Sequence, residues 1–506
     1  MPNKSAFAER GLTATVHALI SEVRTMYCAD ELPWIVGYSG GKDSTACLQL
    51  VWLALRSLPP EKRRKPLNVI STDTLVENPV VAAWVTHSLD AMRQMAADED
   101  LPIYPHRLTP SVNDSFWVNL IGRGYPAPRH KFRWCTERLK IKPSNAFITG
   151  VVAQSGEAIL VLGTRKAESQ ARAKSMERLE AQRLRDRLSP NASLPNCLVY
   201  SPIEEWSNDD VWLFLMQHEN PWGYNNKDLL TMYQGASADG ECPLVVDTST
   251  PSCGDSRFGC WVCTLVEEDK SMRAMIQNDE DKEWMLPLLK LRNKLDAPND
   301  REIRDFRRMS GLVQIFHNDP IPGPYTQRAR AEWLSEVLRA QEAIRRSPTT
   351  PDNVRNIELI TINELKEIRR LWVIEKHEIE DLLPSIYERE TGESFPDQTM
   401  LESSPWGPEE FESLKEICGP DNDLQYQMIR ELLHVEQRYR TASRRAGLYE
   451  ALEDAIRRSF YDSEEDAVGR ARRRHEALAR ANGDEVALSL PDRDAAIETI
   501  GEAGKE

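Results

Sequence analysis

Apolar residues in the first two hundred positions follow two alternating rhythms, helical spacing and short unbroken runs. Leu12, Val16, Leu19, Ile20 and Val23 share one face of a helix predicted within residues 1–30. The run Trp34-Ile35-Val36-Gly37-Tyr38 ends in glycines, and residues 44–58 then place Cys47, Val51, Ala54 and Leu58 on one side. Residues 67–71 read as the next strand, and Val80, Ala83, Trp84, His87 and Ala91 as one face of the next helix. Residues 159–162 and 198–200 are two further buried-strand runs. Strands alternating with helices predict an α/β fold, a parallel sheet covered by helices on both faces.

The rhythm fails over residues 231–267, where Gly, Pro, Ser, Thr and four cysteines crowd together. That segment needs something besides a hydrophobic core to fix it. His317-Asn318-Asp319-Pro320-Ile321-Pro322-Gly323-Pro324 is a Pro-rich linker or boundary. Beyond it residues 326–344, 357–383 and 423–458 are helical and charged, and the last twenty or so lose periodicity, as a mobile tail does. At 506 residues two or three domains are expected.

The longest apolar runs are too short for a membrane span, and residues 1–10 carry both signs of charge, unlike a secretory signal. Nine cysteines, an odd count unevenly spread, speak for reduced thiols or metal ligation in a cytoplasmic protein. The net charge of −16 argues against a general nucleic-acid binder. Residues 120–190 differ, with fifteen Lys and Arg against six Asp and Glu. Such a stretch is either a set of solvated helix faces or a surface for a polyanion.

Ser39-Gly40-Gly41-Lys42-Asp43-Ser44 follows a predicted strand and opens a predicted helix. Glycines let backbone approach an anion, and a helix N-terminus offers N–H groups and partial positive charge. Lys42 adds a full charge, and Ser39 and Ser44 add hydroxyls. Val36 and Asp43 break the Walker A pattern. The string resembles the pyrophosphatase loop of the PP-loop superfamily, whose members split ATP between its α- and β-phosphates. The resemblance implies that Asp43 helps bind Mg2+ and that Thr72 and Asp73, ending the second strand, lie beside the adenosine. Gly163-Thr164-Arg165 resembles the substrate-anion element of sulfate-nucleotide reductases, with Arg165 and Arg172 expected on a substrate phosphate or sulfate.

Cys260-Trp261-Val262-Cys263 lets two sulfurs meet one metal or cluster edge, with Cys242 and Cys253 upstream and Cys135 in the basic stretch. A second C-x-x-C, which a zinc ribbon wants, is missing. Thiolate-rich sites select zinc or iron–sulfur. Tyr125-Pro126-Ala127-Pro128, Phe132-Arg133-Trp134-Cys135-Thr136-Glu137-Arg138-Leu139-Lys140, Gly240-Glu241-Cys242-Pro243 and Arg257-Phe258-Gly259-Cys260-Trp261-Val262-Cys263-Thr264 together resemble the DndC family of DNA phosphorothioation proteins.

That resemblance, spanning about residues 33–272, implies an ATP pyrophosphatase and sulfurtransferase with a [4Fe-4S] cluster. It acts on DNA with a cysteine desulfurase and the other phosphorothioation proteins of its system, and not at a membrane. It implies cluster ligation by Cys135, Cys242, Cys260 and Cys263, with Cys253 an alternative ligand or a sulfur carrier. Cys28, Cys47, Cys197 and Cys418 read as structural. Lys42, Asp43 and Arg165 become the catalytic set, and residues 39–44 with Thr72, Asp73 and Gly163 the ATP site. The layout is then an N-terminal helix (1–30), a PP-loop domain of the adenine nucleotide alpha hydrolase-like kind (31–230), a cysteine-rich iron–sulfur segment with following helices (231–316), and a helical C-terminal region (325–506). Three other activities compete. A sulfate-nucleotide reductase wants a mobile C-terminal Glu-Cys-Gly, and Ile417-Cys418-Gly419 lacks the Glu. The others are a tRNA thiolase, and a nucleotide- and cluster-binding scaffold or sensor.

Overall fold

The computed structural model describes residues 5–183, 185–236, 258–316, 319–378, 380–397, 408–419, 422–440 and 445–482. The chain forms two compact units interleaved in sequence. The first joins Met1–Phe116, Pro128–Asp296 and Ala343–Leu359; the second joins Trp117–Ala127, Ala297–Glu342 and Ile360–Glu506.

In the first unit the elements run α1 (Leu12–Cys28), β1 (Trp34–Gly37), α2 (Lys42–Arg56), β2 (Leu67–Thr72), α3 (Pro79–Asp98), β3 (Ile103–Leu108), α4 (Lys142–Ser155), β4 (Ala158–Val161), α5 (Gln170–Glu180), β5 (Ser189–Pro190), β6 (Cys197–Tyr200), α6 (Asn208–Gln217), α7 (Asn226–Gly235), α8 (Lys270–Asn278) and α9 (Leu286–Leu295). The strands make one sheet in the order β3-β2-β1-β4-β6-β5, parallel except for β5 against β6. Trp34 and Val36 of β1 point into a core shared with α1, α2, α3 and α6, while Ile35 packs on the opposite face with Ile148 of α4. Burial on both faces explains why β1 and β4 read as unbroken apolar runs instead of alternating ones.

Three details differ from the sequence reading. Strand β3 was not foreseen: its residues Tyr104, His106 and Arg107 are polar, and Pro105 lacks a ladder N–H. Both suit an edge strand, which β3 is, paired only with β2. Helix α3 is where the spacing puts it, but its buried residues are Val81, Ser88, Leu89, Met92 and Ala96, and His87 is exposed. It is covered on two sides, because Val81, Ala82 and Val85 also line a cavity beside the sheet. And α7 carries helix through residue 235, past the point where the irregular segment was expected to begin.

The second unit holds a two-stranded ladder of β7 (Ile315–Phe316) and β8 (Asp319–Pro320), then α10 (Gln327–Arg346), α11 (Ile362–Arg370), α12 (Leu382–Thr391), α13 (Pro408–Cys418), α14 (Asp423–Arg440), α15 (Leu448–Ser459) and α16 (Glu464–Asn482). The continuous helix expected over 357–383 is interrupted. A π-helical turn, Leu371–Glu375, ends it, and His377 and Asp381 take left-handed conformations. The helix expected over 423–458 is likewise two, α14 and α15, with Gly447 left-handed at the start of the second. The segment Trp117–Ala127 packs within this unit: the Trp372 indole donates to the Ile121 carbonyl at 2.9 Å, and the Ala127 N–H donates to the Tyr325 hydroxyl at 3.1 Å. The expected mobile tail lies outside the described residues.

Candidate nucleotide site

Strands β1 and β4 lie side by side at the middle of the sheet, and the chain leaves them toward opposite edges, β1 to β2 and β3, β4 to β6. The carboxyl ends of such a pair form the crevice in which open α/β sheets take ligands. A cavity of about 1680 Å³ opens there, lined by every residue from Ser39 to Ser44 and by Thr72, Asp73, Gly163, Arg165 and Arg172. Each nucleotide- and anion-site residue expected from sequence therefore borders one space.

The loop from β1 to α2 is held by its own side chains. Ser44 Oγ donates to the Gly41 carbonyl at 3.0 Å and accepts from the Ser39 N–H at 3.2 Å. Gly40 has φ +75°, and a Cβ there would meet Val85 Cγ2 at 2.4 Å. Only glycine satisfies both conditions. Gly163, leaving β4, presses on the same loop: a Cβ would lie 2.5 Å from the Asp43 carbonyl oxygen.

Asp43 sits between two cations. Its Oδ2 accepts from Lys42 Nζ at 3.1 Å and its Oδ1 from Arg165 Nε at 2.7 Å. Arg165 is buried, and its Nη1 donates to the Trp206 carbonyl at 3.2 Å. The guanidinium expected to fork onto a substrate anion thus braces the phosphate loop. Each Asp43 oxygen thus accepts from one cation and keeps a second lone pair, which is what a magnesium ion at this carboxylate would use. Arg172 lies in the first turn of α5, exposed, 3.6 Å from Glu168. At the other end of the cavity the hydroxyls of Thr72 and Ser144 are 2.9 Å apart, and Asp73 pairs with Arg107.

Several residues bordering the cavity were not legible as site residues. They include Arg107, Lys140, Ser144, Tyr233 and Phe258. Tyr233 touches the loop. Its hydroxyl accepts from the Lys42 backbone N–H at 3.4 Å, and its ring lies 5.7 Å from Lys42 Nζ. It reaches the loop from 191 positions away, which no local pattern reveals.

The thiols lie next to this space. The segment carrying Cys260 is stitched to the loop after β2: Trp261 N–H donates to the Val76 carbonyl at 2.9 Å and Asn78 N–H to the Gly259 carbonyl at 3.2 Å. Cys260 Sγ is 3.3 Å from Thr74 Oγ1 and 3.8 Å from Glu77 Oε1. Burial, with the Glu77 charge beside it, pushes the Cys260 thiol up to about 12, against the pull of Lys140. Burial also raises Cys135, and the charge of Cys263 adds to that. Among the described residues no group of three or more His, Cys, Asp or Glu is placed to hold a metal ion. Cys242 and Cys253 lie outside the described residues. Cys47, Cys197 and Cys418 are buried, whereas Cys28 is exposed.

The basic stretch is largely neutralised from elsewhere in the chain. Arg129 pairs with Asp296, Arg138 and Lys142 with Asp114, Lys140 with Glu77, and Arg187 with Glu22 and Glu204. Lys166, Arg183 and Arg185 also have acidic partners. The local surplus in sequence is therefore not an equal surplus in space.

A parallel sheet with a glycine-rich phosphate loop at its central crevice defines a nucleotide-binding domain of the PP-loop class, and residues 33–265 match the family model of the phosphoadenosine phosphosulfate reductase domain. Over that stretch the chain is similar to phosphoadenosine phosphosulfate reductase domains. An uncharacterized protein of Methanocaldococcus jannaschii is 25% identical over 248 residues, 49% of this chain. The match spans 39% of that relative's length. Among solved structures, phosphoadenylyl-sulfate reductase from Candida auris in a phosphate complex aligns with 44% of this chain and 93% of its own, at 15% identity and a TM-score of 0.27. FMN adenylyltransferase of Candida glabrata, with FAD and inorganic pyrophosphate, aligns with 46% and 67%, at 12% identity and a TM-score of 0.27. No helix among the described residues is long and apolar enough to cross a membrane.

Proposed function

We propose that the protein is an ATP pyrophosphatase acting as the sulfurtransferase of DNA phosphorothioation: it adenylates a backbone phosphate oxygen so that sulfur can replace it. One observation carries the ATP chemistry: residues 39–44, braced by Asp43 and Arg165, line a crevice at the carboxyl ends of β1 and β4. A phosphodiester oxygen is a poor leaving group. Transfer of AMP to it supplies a good one, and released pyrophosphate needs a cationic cradle. Lys42 and the N-terminus of α2 stabilise that developing charge, largely by position and electrostatics. Arg172, exposed on the cavity lining and 3.6 Å from Glu168, is a side chain that could turn from that carboxylate onto the substrate phosphate. The DNA and sulfur steps rest on the sequence resemblance to DndC proteins, with a cysteine desulfurase as sulfur source.

Cys135, Cys260 and Cys263, with Cys242 or alternatively Cys253 as the fourth thiolate, are the chemical type an iron–sulfur cluster requires. When bound, such a cluster supplies redox-active, sulfide-bearing iron. Lys140, beside Cys260 and on the cavity wall, balances negative charge there.

A second reading, a sulfate-nucleotide reductase, is supported by the family match of residues 33–265. Against it, Cys418, the one cysteine resembling its C-terminal nucleophile, is buried at 6% exposure. The test uses anaerobically purified protein and ATP labelled at the α- and γ-phosphates, with and without DNA. AMP and pyrophosphate are expected, with Lys42→Ala slowed about a hundredfold or more. ADP and inorganic phosphate would end the proposal, and sulfite release from phosphoadenylyl sulfate would favour the second reading.

A further inference from the structure

Ion pairing leaves one short turn of the basic stretch uncancelled. Residues 129–132 close on themselves: the Phe132 N–H donates to the Arg129 carbonyl at 2.8 Å, and the Arg129 N–H to the Phe132 carbonyl at 3.3 Å. Both ends of the turn are pinned. Arg129 pairs with Asp296 at 3.0 Å, and the Thr264 hydroxyl donates to the Pro128 carbonyl at 2.6 Å. Beyond the turn the buried Trp134 ring stacks on Phe116 at 5.3 Å. What the turn displays is cationic, since His130, Lys131 and Arg133 are all exposed. Arg129, Arg138, Lys140 and Lys142, on either side, have acidic partners. Among the described residues Lys131 and Arg133 form no ion pair. The Arg133 guanidinium donates instead to His130 Nδ1 at 3.4 Å, a contact that leaves its charge uncancelled.

We propose that this turn grips the DNA backbone beside the phosphate that enters the crevice, with Lys131 and Arg133 each on a neighbouring phosphate group. The assignment rests on the DNA reading of the crevice and deepens it. After the turn the chain passes Cys135 and the helical turn Thr136–Ile141, whose Lys140 and Ile141 line the cavity. The helical path from Arg133 to Lys140 spans on the order of 10 Å. That is about three nucleotides of B-form strand. A strand with one phosphate in the crevice therefore brings others within reach of the turn. Guanidinium and ammonium groups match phosphate in charge and in hydrogen-bond donors, and such contacts position the backbone without reading bases. Diffuse surface charge would act differently: any two unpaired cations of the stretch would then serve equally well. Lys174 and Arg178, exposed one turn apart on α5 and without ion pairs among the described residues, supply that comparison.

The test is fluorescence anisotropy of the full-length protein on two DNA duplexes of unrelated sequence, from about 50 to about 300 mM salt. Wild type is compared with the double variants Lys131→Ala/Arg133→Ala and Lys174→Ala/Arg178→Ala. In the first double variant the slope of log affinity against log salt is expected to become shallower by about two. Its affinity should fall about tenfold or more on both duplexes alike. Its unfolding midpoint and its cleavage of ATP without DNA should stay as in wild type. The α5 double variant is expected to bind as wild type does. Equal loss in both double variants marks diffuse charge and overturns the assignment, and so does an unchanged slope in the first. Should the alanine pair lower the unfolding midpoint, Lys131→Arg/Arg133→Lys decides: it keeps both charges, so a reduced slope there overturns the assignment too. Tighter binding of an RNA duplex than of DNA would overturn the choice of partner. Wild-type protein that releases AMP and pyrophosphate but binds no DNA defeats the DNA reading, and the turn's role with it, while the ATP reading stands.

Discussion

Gly163 and Asp43 show how much of the site is decided by single atoms. A methyl group at Gly163 would stand 2.5 Å from the Asp43 carbonyl oxygen and 3.0 Å from the Ser44 nitrogen. Both are backbone, so neither can swing aside, and the end of β4 must separate from the loop. Gly163→Ala is expected to cost about 1–3 kcal/mol of stability and to weaken ATP binding, read by urea unfolding and by titration. A variant with wild-type affinity would show that the close approach does not matter. At this scale residues 39–44 were legible in sequence because their chemistry is contiguous. Arg165 was legible as a site residue, but its partner was not: the sequence offers no sign that its guanidinium meets Asp43 across 122 positions. Tyr233 was not legible at all, since an aromatic near a helix end ordinarily reads as core.

Among the elements, the π-helical turn Thr136–Ile141, which begins directly after Cys135, depends on one carboxylate. Asp114, buried at 5% exposure, accepts from Arg138 at 2.8 Å, from Lys142 at 2.5 Å and from Ser111 at 2.9 Å. Burial alone would raise its pKa; Lys142, Ser111 and Arg138 outweigh that and hold it below the ordinary value of 3.8. A carboxyl depressed in the folded state adds stability above its unfolded pKa and loses it as pH falls through the folded one. Asp114→Asn is therefore expected to be less stable by about 1–3 kcal/mol at pH 7. The deficit should shrink steadily once the pH drops below about 4. Urea unfolding of both proteins at pH 7, 5 and 3.5 measures it, and a deficit independent of pH would count against the ion-pair account. Element by element, β1, β2, β4 and β6 could be read from short apolar runs, and α1 and α2 from helical spacing. Edge strand β3 has one neighbour and a polar, proline-containing sequence, so nothing in its pattern announced it.

Across the whole molecule, charge and chain path both behave differently from what a linear reading suggests. Fifteen basic residues against six acidic ones between 120 and 190 look like a polyanion surface. In the fold, acids as distant as Glu22 and Asp296 answer many of them. The chain path is equally non-local. Trp117–Ala127 belongs to the second unit, and Val118, Leu120 and Ile121 are fully buried there. A fragment of residues 1–296 retains this stretch and lacks Ile368, Leu371 and Trp372, which surround Gly122 and Ile121. Such a fragment is expected to aggregate, or to bind a hydrophobic dye, where the full chain does not. Light scattering and dye fluorescence on the two proteins check it, and a soluble, dye-silent fragment would refute it.

The same excursion sets an order of events during synthesis. Residues 117–127 leave the ribosome with the sheet still incomplete, and the helix that will cover them follows roughly 240 residues later, on the order of ten to fifty seconds at ordinary elongation rates. Through that interval the nascent chain carries an apolar stretch with nowhere to go. Exposure of that stretch is therefore expected to last until residues 362–370 have been made.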